Sequence, residues 1–241
     1  MSTELQELLV KKQRELDALR AEYIDFAYIV SHELAAPFRQ IEGFADIILS
    51  SHEDQFDDDT KRQFGYIING SKTGSAIVNS LSAYSQLCAQ ELQVTSVDCN
   101  MILDDVTTRL SSLIGDTKAQ YSCTELPVIM GDNGLINRLF YQLVHNALHY
   151  HAPDTQPVIS VEAVEKEDSW EFCVKDNGIG MSDKQVEKVF KIFKRAVSEK
   201  KYSGSGVGLA ISKQIVIKHE GKIWIQNNEG DGCSCYFTLP K

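Results

Sequence analysis

Leu5, Leu9, Lys12, Leu16, Leu19, Tyr23, Phe26 and Val30 recur at alternating steps of four and three, and no glycine or proline interrupts the run. That spacing is a coiled-coil seam with one polar position at Lys12. A stripe of this kind is buried only when another helix lies against it, so the N-terminal part of the chain must be a long helix with a helical partner. The pattern continues into His32-Glu33-Leu34-Ala35-Ala36-Pro37 and places His32 two positions beyond Val30, on a side turned from the seam toward solvent. Pro37 removes one backbone donor and Gly43 weakens the helix further, so a bend is expected there.

The polar, acidic stretch Ser51–Thr60 has no apolar period and reads as the turn of a helical hairpin, with an aspartate or Thr60 capping the next helix. Its carboxylates have an ordinary explanation as caps at a positive helix end. Phe64, Ile67, Ile68, Ser71, Val78, Leu81, Ser85 and Cys88 then follow at helical spacing up to about Gln90. Two such hairpins can pair into a four-helix bundle.

After Leu92 the texture changes to short strands alternating with helices. Strands are expected at 121–123, 158–164, 170–175, 222–226 and 233–239, and helices at 99–114, 133–150, 182–190 and 207–219, the last closed by Gly221. The chain therefore divides into an N-terminal coiled-coil helix at 1–21, a helical hairpin at 22–92 and an α/β sandwich at 97–241, with helices on one face of a mixed sheet. A length of 241 residues leaves room for such cores without disulfide staples.

Composition narrows the function. A formal net charge of −10 gives no basic excess for nucleic acid or anionic lipid. No stretch approaches the roughly 20 apolar residues that span a bilayer, so no membrane segment is expected and a cytoplasmic location is. The six cysteines lack paired zinc spacing and read as reduced thiols, with Cys233 and Cys235 on one strand face as core.

Four segments carry chemistry. Neutral imidazole is a competent nucleophile, and Glu33 beside His32 can take its proton or hold its tautomer. In the 133–150 helix, Gln142, Asn146 and His149 fall at i, i+4 and i+7, and an amide oxygen suits Mg²⁺. Asp176-Asn177-Gly178-Ile179-Gly180 follows a strand, and its glycines allow close approach of backbone to a ligand. Gly204, Gly206 and Gly208 match neither the Rossmann nor the Walker spacing, yet they open the 207–219 helix, whose amides can cradle phosphate oxygens.

Ser31-His32-Glu33-Leu34 with Pro37 and Arg39 resembles the phosphoacceptor box of sensor histidine kinases of two-component systems, in its phytochrome-type variant. Tyr84-Ser85-Gln86-Leu87 looks like the end of their second bundle helix. The segment Leu143–Tyr150 resembles their N box, and Asp176–Gly180 the first glycine box of the ATPase fold shared with gyrase and MutL. Phe190, Phe193 and Arg195 resemble the F box, with Lys194–Ser203 as a mobile lid.

That resemblance implies residues 22–92 as a dimerisation and phosphoacceptor domain and 97–241 as an ATP-binding domain. His32 and Glu33 are then catalytic, and Asn146 holds Mg²⁺. Asp176 accepts a hydrogen bond from the adenine amino group, Tyr150 borders the nucleotide, and Arg195 reaches the γ-phosphate. Implied partners are a second copy through the helical bundle, a response-regulator receiver domain, and a sensor supplied upstream or by another chain. Two departures stand out: Gln142 replaces a usual asparagine and His149 a usual phosphate-contacting lysine. An imidazole carries less charge than an ammonium near pH 7, which leaves a second reading, a phosphotransfer or scaffold protein with a degenerate ATP site. A third, an ATPase clamp, gives no reason for the His32 box.

Overall fold

The computed structural model describes residues 3–194, 202, 206–228 and 232–241. The chain forms two compact units, Met1–Gln90 and Glu91–Lys241.

The first unit is a helical hairpin. Helix α1 runs unbroken over Thr3–Ser51, through Pro37. A short 3₁₀ turn at Glu53–Gln55 follows, and α2 spans Asp58–Ala89. Of the expected caps it is Asp57 that acts, its carboxylate accepting from the Thr60 N–H at 2.8 Å. The two helices meet through a face of α1 that carries Ala27, Ser31, Ala35 and Ala45, all buried. Small side chains let the helices approach closely. Gly74 of α2 makes room for the Phe38 ring, which a Cβ there would meet at 2.5 Å, and the Ser71 hydroxyl donates to the Phe38 carbonyl. The N-terminal seam lies on other positions of α1, and from Leu9 to Phe26 it is uncovered in the single chain: Leu19 is 63% exposed and Phe26 64%.

In the second unit, β2 (Gln120–Cys123), β4 (Val158–Glu165), β5 (Ser169–Asp176), β6 (Ile223–Asn227) and β7 (Cys233–Pro240) form a five-stranded sheet in the order β2-β4-β5-β7-β6. The β2–β4 pair is parallel and the others antiparallel. Two strands escape the sequence pattern: β1 (Val94–Asp98) and β3 (Val128–Asp132) make a separate antiparallel ribbon. The second unit accordingly begins at Glu91, ahead of residue 97. The helix expected at 99–114 is interrupted at Leu110 into α3 (Cys99–Arg109) and α4 (Ser111–Thr117), and that at 182–190 contracts to α6 (Asp183–Val186). Among the described residues no helix is long and apolar enough to cross a membrane.

Helix α5 (Asn133–His149) supplies the centre of the core. Phe172 and Phe237 face each other across β5 and β7 and stack at 4.9 Å. Phe140 of α5 meets both rings edge-on, at 5.7 and 5.5 Å. All three are fully buried, and edge-to-face packing adds to the value of their burial. Cys233 and Cys235 are buried on the same face of β7.

Helix α7 (Gly208–Lys218) lies beside α5. Gly221 closes it as the sequence expects, with the turn made one residue earlier. Glu220, not Gly221, takes the left-handed conformation, with φ 60°. Gly221 closes the helix by donating to the Val216 carbonyl at 2.9 Å, and it is glycine because a Cβ would overlap the Thr238 carbonyl. His219 at this end is buried. Its Nε2 accepts from the Asp132 N–H at 3.0 Å and its Nδ1 donates to the Ile215 carbonyl at 2.8 Å, which requires the neutral Nδ1–H tautomer. Asp132 in turn caps α5, its carboxylate accepting from Leu135 and Gln93 N–H groups, each at 3.0 Å. His219→Ala strands a buried N–H and leaves a void, so it is expected to lower stability by about 2–4 kcal/mol. Urea unfolding followed by circular dichroism measures this, and a change under half a kilocalorie would show the link to be dispensable.

Candidate nucleotide site

The site grows from the end of β5. Asp176 closes that strand, and its Oδ1 accepts from the Gly178 N–H at 2.8 Å and the Cys233 N–H at 3.1 Å. Among the described residues its other carboxylate oxygen has no partner, and the residue lines a cavity. Burial pushes the Asp176 carboxyl above its ordinary range, with the two N–H bonds opposing. Asn177 points elsewhere: its amide bridges the Val158 N–H (2.7 Å) and the Gln156 carbonyl (3.0 Å), tying down the edge of β4.

The glycines have separate reasons. A Cβ on Gly178 would overlap the Tyr150 carbonyl, the same carbonyl that accepts from Ile179 N–H at 3.0 Å. Gly180 has φ 66°. Gly232, which the sequence reading passed over, has φ 92°, and a Cβ there would run into the Asp176 carbonyl. The acidic loop is thereby laced to the end of α5 and the start of β7.

The cavity holds about 260 Å³. Leu143, Val174, Ile179 and Ile225 give it apolar walls, with Cys233 and Cys235 beside Asp176. Gln142, Asn146, His149 and Tyr150 border it from α5, and Gly206 and Gly208 from the start of α7. A flat heterocycle suits such walls, with Asp176 as the polar group that orients it. Gly208 opens α7 close to Gln142, since a Cβ there would lie 2.5 Å from the Gln142 Oε1. Among the described residues no side chain caps this helix start, and a helix N-terminus of this kind accepts anionic oxygens. The cavity therefore has one end, at Asp176 and Tyr150, that suits a base and another, at Gln142 and Gly208, that suits an anion. Among the described residues no three His, Cys, Asp or Glu side chains could hold a metal ion, so a cation would take its remaining oxygens from a ligand, with amides at Asn146 and Gln142 as protein donors.

Of the polar lining residues the sequence passed over His145, and it marked Lys194 as the start of the lid without giving it a place in the site. His145 precedes His149 by four positions, and their rings stack at 5.7 Å. Burial, and then His149, holds the His145 imidazole below its usual pKa. Tyr202 closes on the same region, its ring 5.4 Å from Tyr150 and its hydroxyl donating to the His151 carbonyl at 2.7 Å. Arg195 and Gly204, and most of the expected lid, lie outside the described residues.

His32 and Glu33 belong to the first unit. The His32 side chain is 78% exposed, and its Nδ1 is 3.5 Å from the Glu33 carboxylate. Ser31 next to it is buried and donates to the Ala27 carbonyl at 2.6 Å, so the helix face that buries Ser31 turns His32 outward.

Comparison with known proteins places this geometry. Residues 131–241 match the family of histidine kinase-, DNA gyrase B-, and HSP90-like ATPases. The phytochrome-like protein Cph1 of Synechocystis sp. is 30% identical over 97% of this chain, which spans 31% of that relative's length. Two solved structures share the fold at 20% identity. Full-length ShkA in complex with AMPPNP covers 90% of this chain, and 45% of its own, with a TM-score of 0.65. Histidine kinase ThkA in complex with response regulator protein TrrA covers 95% of this chain, and 66% of its own, with a TM-score of 0.64.

Burial penalises the Asp176 charge in the folded state only, so that penalty is complete above the raised pKa and vanishes below about pH 4. Asp176→Asn keeps an oxygen for the two N–H groups and removes the charge. Its melting temperature is expected to equal or exceed that of the wild type at pH 7, with the difference closing as pH falls toward 4. A clear loss of stability at pH 7, read by differential scanning calorimetry, would show the carboxylate to be structurally required.

Proposed function

This chain belongs to the sensor histidine kinases of two-component systems, and from that membership we propose that it uses ATP to phosphorylate its own His32 and passes the phosphoryl group to an aspartate of a response regulator. The observation that carries this reading is the polarity of the cavity, with an open carboxylate oxygen at one end and the Gln142 and Asn146 amides with the start of α7 at the other. Adenine donates its amino hydrogen to Asp176 while Tyr150 borders the ring. Gln142, Asn146, Gly206 and Gly208 receive the phosphates, and Arg195 and Gly204 belong to the same set by resemblance. Mg²⁺, held at Asn146, would neutralise charge between the phosphates.

On the hairpin, Glu33 stands at the Nδ1 edge of His32, which leaves Nε2 as the nucleophile. Its lone pair forms the N–P bond as the bond from the γ-phosphorus to the bridging oxygen breaks, ADP leaves, and Glu33 takes the Nδ1 proton. Positioning and charge neutralisation supply most of the acceleration. The chain spans about a third of the length of the curated relatives it matches, and the input is proposed to come from a sensor domain or a partner chain. His149 in place of a lysine favours the competing reading of a phosphotransfer scaffold, which calorimetric absence of ATP binding with Mg²⁺ would select.

Incubation with γ-labelled ATP is expected to give acid-labile, base-stable label on the wild type and only background on His32→Gln. Equal labelling of the two would overturn the assignment.

The uncovered seam of α1 implies a parallel homodimer through the helical bundle. Sedimentation at tens of micromolar is expected to show a dimer, weakened by a few kcal/mol when Leu19 is replaced by lysine. A wild-type monomer at that concentration would remove the proposal.

A further inference from the structure

Along α5 the cavity residues descend from the base end, Tyr150 and His149, through Asn146 to Gln142 at the anion end. The next position of that row is Arg138, four before Gln142 and eight before Asn146. Steps of four keep a residue on one helix face and move it by one turn, about 5.4 Å along the axis. Arg138 thus stands just beyond the cavity lining, past the end where the phosphates enter.

Its environment is unusual for an arginine. The side chain is half-buried, and among the described residues it has neither a hydrogen bond nor an ion pair. Burial alone lowers its pKa, with no carboxylate to oppose the effect. On the neighbouring α3, Asp105 is already engaged, by Arg109 at 3.6 Å and by the Asn137 amide at 2.8 Å. A partly desolvated cation without a counter-charge is costly unless an anion arrives. The cavity has a matching deficit. Among its described lining residues Lys194 is the one fixed cation, while a nucleoside triphosphate brings a charge near −4 of which a single divalent cation offsets half.

We propose that Arg138 binds the terminal phosphate of a nucleoside triphosphate and sets the preference of this pocket for triphosphate over diphosphate. The proposal rests on the nucleotide reading of the cavity given above. A guanidinium offers two parallel donors to a phosphate, and its place at the far end of the row lets it reach the terminal group while the inner phosphates stay with Gln142, Asn146 and the start of α7.

The test is calorimetric titration of the full chain, with Mg²⁺, by AMPPNP and by ADP. Arg138→Met keeps the apolar stem, which could by itself serve to cover the helix, and removes the charge. Its affinity for AMPPNP is expected to fall on the order of ten- to a hundredfold while that for ADP stays within about twofold. Arg138→Lys is expected to recover part of the loss. Equal weakening toward both nucleotides, or no change toward AMPPNP, overturns the assignment. If Arg138→Met does not fold, Arg138→Gln carries the same comparison, and retained ADP binding certifies its fold. A wild type that binds neither nucleotide overturns the cavity reading as well, whereas one that binds both with Arg138→Met unchanged overturns the role of Arg138 alone.

Discussion

The angular seat of α5 on the sheet decides what the second unit can bind. One side of this helix carries Phe140 into the stacked pair Phe172–Phe237, and the other side presents Gln142, Asn146 and His149 to the cavity. The two sets belong to one rigid period of about 3.6 residues, so the aromatic contact fixes the amides. Turning the helix by a single residue, about 100°, would pull Phe140 from between its partners and aim Asn146 at the sheet. Asp132 and His219 hold the same helix at its start, and the Tyr150 carbonyl holds its end through Ile179. Both ends are thus defined by hydrogen bonds to other elements, and the middle by dispersion.

The acidic loop shows a second dependence, between backbone geometry and charge. Asp176 keeps a half-buried carboxylate because two N–H groups converge on one of its oxygens, and they converge only because Gly178 and Gly232 lack side chains. Stability is given up for an acceptor aimed into an apolar space, an arrangement common where a protein must discriminate among ligands.

The sequence made part of this legible. Strands β5 and β7 announced themselves because one face is apolar and the other faces water, and α5 because its apolar and amide stripes have different phases. The β1–β3 ribbon did not. Val94, Val128 and Met130 are exposed on it, so its solvent side is apolar as well and the residue types do not show the polar–apolar alternation that marks a half-buried strand. The hairpin contact was hidden for the opposite reason, since Ala27, Ser31, Ala35 and Ala45 pack by being small and leave no hydrophobic signature, while the conspicuous leucines lie elsewhere on the helix. Of the site, the residues within one element could be read from spacing. Gly232 could not, because its necessity comes from Asp176 on the neighbouring strand, and neither could the burial of His145.

The wall formed by Cys233 has a chemical consequence. Burial, reinforced by the negative charge of Asp176, pushes its thiol up to about 11. At neutral pH only about one such group in ten thousand is ionised, and alkylating agents and disulfides react with the ionised form. Burial and the neighbouring carboxylate therefore together suppress the reactivity of this sulfur, and the cavity wall is slower to react with electrophiles and oxidants than an exposed cysteine would be.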